Sequence, residues 1–182
     1  FANEGSVLGE HPSPKIKNKY IEFSTGSLGH GLSFGSGLAY SKLIKKENGY
    51  IFVLMSDGEM NCGSVWESAL LSSKLKLNNL IAIIDYNKYQ ATGKSDEILN
   101  IKPLSKKWIS FGWDAIECNG NDHNSISKKI NFLLKKKSNK PKVLIAHTIK
   151  GKGVDFMEND NNWHYRSPNI DEVKKSKIQL DI

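Results

Sequence analysis

An α/β fold with three layers, helices on both faces of a mostly parallel sheet, is predicted by three features of the sequence. Short apolar, β-branched runs recur at "YIFVLM" (50–55), "LIAIID" (80–85) and "KVLIAH" (142–147), the composition of strands buried on both faces. Stretches of helical period lie between them, and alternation of the two element types favours parallel pairing through crossovers. The 182 residues suffice for one such domain with its own core and are few for two.

The elements follow in order. After an irregular start over 1–20, "IEFSTGSLGHG" leads into "LSFGSGLAYSKLIKK", where Leu32, Leu38 and Leu43 recur on a rough helical period behind a glycine-rich turn. "YIFVLM" is the first buried strand, and "SVWESALLSSKLKL" (64–77) the helix that follows its loop. "LIAIID" is the second strand, and "YNKYQATGKSDE" after it is rich in turn formers and reads as a loop. A short helix near 104–111, a strand at "WDAIEC" (113–118), an amphipathic helix at "SISKKINFLLKKK" (125–137) and the strand "KVLIAH" complete the order. The lysine-rich "DEVKKSK" (171–177) reads as a solvated face.

Composition narrows the function. The formal charge of +7 comes from dispersed lysines, and no helix-turn-helix, zinc-finger spacing or aromatic RNA-binding signature accompanies it, so no nucleic-acid partner is expected. No basic segment precedes an apolar run and no apolar stretch approaches membrane length, so neither a signal peptide nor a membrane span is expected. Cys62 and Cys118 are too few for a disulfide framework, which fits a reducing, cytoplasmic setting. The chain opens on Phe1 rather than Met, so residues upstream are expected.

Ligands of open parallel sheets bind at the carboxyl ends of the strands. Asp57 falls just beyond the first strand and Asn87 just beyond the second; the thirty residues between them accommodate one helical crossover, which would bring both to one edge. A carboxylate, an amide oxygen and a main-chain carbonyl are hard ligands suited to Mg²⁺, which fills its remaining octahedral positions with phosphate oxygens and water. Gly58 has no side chain and would let a phosphate approach the backbone. An Asp-Gly after a strand is also an ordinary turn, and both readings stand at this point.

The stretch "SDGEMNCGSVWESALLSSKLKLNNLIAIIDYNKYQATG" (56–93) resembles the thiamine-diphosphate motif of transketolases. "TGSLGHGLSFGSGLA" (25–39) is similar to the transketolase segment under the aminopyrimidine ring, "EHP" (10–12) to its histidine-proline turn, and "HTIKGKGVDFMENDNNWH" (147–164) to its final loop. The likeness covers nearly the whole chain and is closest to the short, separately encoded N-terminal transketolase subunits. It implies a thiamine-diphosphate-binding fold and a single diphosphate-binding domain over 1–182. Asp57, Asn87 and the carbonyl of Tyr89 would hold Mg²⁺ or another divalent cation such as Ca²⁺. Gly58 and Asn87 would contact the diphosphate, and Gly26, Ser27 and Leu28 would line the aminopyrimidine. His164 would reach the diphosphate and the reacting carbon, and His11 the substrate's hydroxyls, these two being the catalytic candidates. The implied reaction is transfer of a two-carbon ketol unit from a ketose phosphate to an aldose phosphate.

The resemblance also implies a partner. In that family the glutamate that activates the aminopyrimidine belongs to a pyrimidine-binding domain, expected here on a C-terminal partner subunit in a heterodimer or heterotetramer. Two residues depart from the family pattern. Cys62 stands where most transketolases carry a glutamate of an acidic network across the subunit contact, and Ser56 replaces the usual first glycine of the motif. These departures leave room for a noncatalytic or regulatory subunit, and for a relative acting in specialised sugar biosynthesis or in 1-deoxyxylulose-5-phosphate synthesis. Of the other histidines, His30 and His147 read as structural and His123 as a loop or helix-start residue; Trp66, Trp108 and Trp113 read as core or interface.

Overall fold

A computed structural model describes residues 11–13 and 23–182. Glu10 of the "EHP" turn and most of the irregular start lie outside the described residues. The chain runs α1 (Gly31–Ile44), β1 (Ile51–Ser56), α2 (Gly63–Lys74), β2 (Leu80–Tyr86), β3 (Tyr89–Gln90), β4 (Gly93–Lys94), α3 (Ser95–Ile98), α4 (Leu104–Ser110), β5 (Asp114–Asn119), α5 (His123–Lys135), β6 (Lys142–His147) and α6 (Ile170–Gln179). Short 3₁₀ turns occupy Gly58–Asn61 and Asn161–His164.

The main sheet has the order β1-β2-β6-β5, with every neighbouring pair parallel. Alternation along each strand sends side chains to two cores. Val53, Met55, Leu80, Ala82, Ile84, Val143 and Ile145 pack with residues of α1, α2 and α4 on one face. Ile81, Leu144, Ala146 and Cys118 pack with Leu133 of α5 on the other. The three layers expected from the sequence are therefore present.

Helices lie over both faces as expected, while among the described residues the edge strand keeps exposed side chains. On the α5 side, β1 is the edge strand and Phe52 and Leu54 are 49% and 75% exposed. The loop after β2 also contains more order than its composition indicates, namely the antiparallel hairpin β3-β4 and the single turn α3. The lysine-rich segment forms α6, opened by a capping box in which Asn169 accepts the amides of Asp171 and Glu172.

Close packing fixes the first helix. Gly35 lies so near β1 that a Cβ there would stand 2.2 Å from Val53 Cγ2. Hydroxyls join α1 to α2, Ser33 to Ser68 and Ser36 to Ser72 at 2.7 Å each. Trp108 is buried against Trp66 and Trp113, with ring centroids 5.3 Å and 4.7 Å away, so these tryptophans serve the core.

Candidate functional site

The Asp57 amide donates to the Asp85 carbonyl at 3.1 Å, extending the β1-β2 pairing one residue past the strand. The chain then turns sharply. Ser56 caps this turn by accepting the Glu59 amide at 3.1 Å, which gives the serine a local role that glycine could not fill. Asp57 ends up with no exposure to solvent. Its Oδ2 accepts the hydroxyl of Ser95, itself fully buried, at 2.7 Å, while its Oδ1 is buried without a hydrogen-bond partner. Burial pushes the Asp57 pKa up and the nearby Asp85 adds to that, while the Ser95 hydroxyl and the Gly58 and Lys88 amides pull the other way.

Asn87 follows β2 in an Asx turn, its Oδ1 accepting the Tyr89 amide at 2.8 Å and its Nδ2 donating to Asp85 Oδ2 at 3.3 Å. Thr148, after β6, donates its hydroxyl to the other oxygen of Asp85. Lys88 adopts φ +70°, reversing the chain, and its ammonium donates to the Thr148 carbonyl at 2.9 Å. Asp85 thus orients Asn87, whose oxygen retains a lone pair for a further partner.

The final loop folds over this turn. Tyr89 Oη donates to the Asn159 carbonyl at 2.6 Å, and Asn161 Nδ2 to the Ala91 carbonyl at 3.0 Å. His164 sits at the end of that loop's 3₁₀ turn, exposed and edge-on to Tyr165 with centroids 4.7 Å apart.

Gly26, Ser27 and Leu28 border a cleft of about 740 Å³ that Leu54, Ser56, Glu59 and Asp85 also line. His11 lies against this loop, since a Cβ on Gly26 would stand 2.5 Å from His11 Cδ2, and the Thr25 amide donates to the Pro12 carbonyl at 3.1 Å. Leu28 is 55% exposed, an apolar surface available to a ring. His30 donates through Nδ1 to the Leu28 carbonyl at 3.2 Å and opens α1, a structural role. His147 bonds to Glu117 at 2.7 Å at the far edge of the sheet, and His123 begins α5.

The structure brings Asp57, Gly58, Asn87 and Tyr89 to one sheet edge, and His11 to Gly26. Ser95, Thr148 and Glu59 were not legible as site residues, because each acts through a partner at least 30 positions away. The site fits a hard cation bound to a phosphate. Asp57 Oδ1 is a buried oxygen in need of a partner, the Asn87 and Tyr89 oxygens are of the same hard type, and no group of three His, Cys, Asp or Glu side chains gathers among the described residues to offer a softer site. Cys62 packs beside Gly29, burial pushing its thiol pKa up with the Glu59 charge adding to it, so its thiolate is disfavoured.

Residues 1–182 match the family described as transketolase, thiamine diphosphate binding domain. An apulose-4-phosphate transketolase subunit of Actinobacillus succinogenes is 41% identical over 180 residues, covering 99% of this chain and 64% of the relative. Its namesake from Phocaeicola vulgatus is 38% identical over 172 residues, covering 94% of this chain and 60% of the relative. The 6-deoxy-6-sulfo-D-fructose transketolase subunit SqwG of a Clostridium species is 36% identical, covering 85% of this chain and 55% of the relative. The chain thus spans 55–64% of the length of these curated relatives. Among solved structures, transketolase from Campylobacter jejuni superposes with a TM-score of 0.89 at 27% identity, over all of this chain and 29% of that one.

Proposed function

The chain belongs to the transketolase family, in its thiamine diphosphate binding domain, and from that premise we propose that it is the diphosphate-binding part of the N-terminal subunit of a split transketolase. The observation that carries the reading is Asp57, fully buried at a strand end with one carboxylate oxygen lacking a partner. A divalent cation is the partner that offsets the cost of such a charge.

Asp57, the Asn87 amide oxygen and the Tyr89 carbonyl would hold Mg²⁺, or Ca²⁺ in its place. The Gly58 amide and Asn87 would receive the diphosphate, and His164, exposed at the end of the final loop, would reach the diphosphate and the reacting carbon. Gly26, Ser27 and Leu28 would take the aminopyrimidine. When bound, thiamine diphosphate supplies a nucleophilic thiazolium carbon and an electron sink for the carbonyl carbon of a ketose. His11, held at Gly26, would bind hydroxyls of a sugar phosphate and move protons to and from them. The named relatives are subunits of transketolases, which supports a separate partner chain; that chain would carry the pyrimidine-binding domain, and the assembly would be a heterodimer or heterotetramer working in the cytoplasm.

The reaction is tested by combining the full-length chain with its partner chain and following ketol transfer from a ketose phosphate to an aldose phosphate. Transfer that requires both chains, thiamine diphosphate and a divalent cation is expected. Inactivity of the reconstituted pair toward a panel of ketose phosphates would overturn the enzymatic reading.

A further inference from the structure

Gly29 is gripped by the turn that carries Asp57. Its amide donates to Glu59 Oε1 at 2.8 Å, and its carbonyl accepts the Ser64 hydroxyl at 2.8 Å. With φ +88°, any Cβ there would stand 2.6 Å from Ser64 Oγ and 2.8 Å from Cys62 Cβ. Glu59 is 7% exposed, and its own backbone is pinned at both ends, its amide to Ser56 Oγ and its carbonyl to the Cys62 amide. Glu59 also lines the cleft that Ser27 and Leu28 border. A single turn of chain therefore presents Asp57 and, two residues later, holds the loop that ends at Gly29.

We propose that Glu59 is a positioning residue that registers the Gly26–Leu28 loop against the Asp57–Gly58 turn, so that the two halves of a ligand spanning them are met at one separation. The inference rests on the cofactor reading above. Glu59 bonds to the loop and is not among the groups that would hold the cation, so its loss should affect the ring half of the ligand and spare the diphosphate half. A carboxylate has no donor of its own, which leaves the Gly29 amide one way to bond; glutamine keeps the acceptor and should largely substitute.

The test uses the full-length chain with its partner chain, as wild type, Glu59→Ala and Glu59→Gln. Hydrogen exchange of the peptide spanning 25–31 reads the grip without any ligand. Calorimetry with Mg²⁺ compares thiamine diphosphate with inorganic diphosphate, which lacks the rings. Glu59→Ala should lose protection at 25–31 and weaken thiamine diphosphate about tenfold while inorganic diphosphate stays within about twofold, and Glu59→Gln should stay within about threefold of wild type for both. Equal weakening of both ligands, unchanged thiamine diphosphate affinity, or a Glu59→Gln variant as impaired as Glu59→Ala would overturn the proposal. Wild type that binds neither ligand would sink the cofactor reading, and this inference with it, before any variant is compared.

Discussion

Replacing Asp57 by asparagine should stabilise the cofactor-free protein. The carboxylate has no solvent exposure, one oxygen satisfied by Ser95 and the other unpartnered. Asparagine keeps an oxygen for the Ser95 hydroxyl and removes the buried charge, but turns its NH2 toward the Gly58 and Lys88 amides that favour the carboxylate. An unsatisfied buried polar group costs about 1–3 kcal/mol, more when charged, so a net gain of about 1–2 kcal/mol is expected once the amide's own imperfect pairing is counted. For a chain of 182 residues that corresponds to about 2–4 °C in Tm per kcal/mol. The pH dependence follows from burial raising the Asp57 pKa in the folded state. Ionised Asp57 costs stability at neutral pH; as pH falls through the raised pKa the wild-type group protonates and that cost disappears. The difference between wild type and Asp57→Asn should therefore be largest near neutrality and shrink on acidification. Thermal melts of both proteins across pH measure it. A lower Tm for Asp57→Asn at neutral pH, or a gap that widens in acid, would refute the reasoning, and with it the view that stability is given up here for a ligand site.

Two further substitutions test the fold around the site. Gly35→Ala places a Cβ 2.2 Å from Val53 Cγ2 and must push α1 off β1; a loss of about 1–3 kcal/mol in urea denaturation is expected, and an unchanged midpoint would contradict the packing. Asn169→Ala removes the capping box of α6 and should cost about 1 kcal/mol, seen as faster hydrogen exchange confined to 170–179. Unaltered exchange there would show that the cap does not hold the helix.

Much of the architecture was readable because it is local. Each apolar run that reads as a strand is one, and two strand ends separated by a single crossover bring Asp57 and Asn87 together without further information. What escaped is non-local or too short to leave a pattern. The β3 and β4 strands have two residues each, below any periodicity, and they create the hairpin that delivers Ser95 to Asp57. The grip of Glu59 on Gly29 joins residues 30 apart. The exposed face of β1 could not be foreseen from its apolar composition, which marks a strand suited to burial but not what covers it. α6 was legible in principle through Asn169 and Glu172, but its lysines masked the cap. Ser56, a departure from the family motif, is explained by its hydrogen bond to the Glu59 amide, and Cys62 packs against Gly29.

The central claim is that a buried carboxylate at the end of β1 awaits a cation carrying a diphosphate. Calorimetric titration of thiamine diphosphate into the full-length chain reconstituted with its partner chain, with and without Mg²⁺, tests it most directly. Binding that appears with Mg²⁺, disappears with chelator and is lost in Asp57→Asn is the predicted result. Binding that is indifferent to Mg²⁺, or that survives Asp57→Asn, would contradict it.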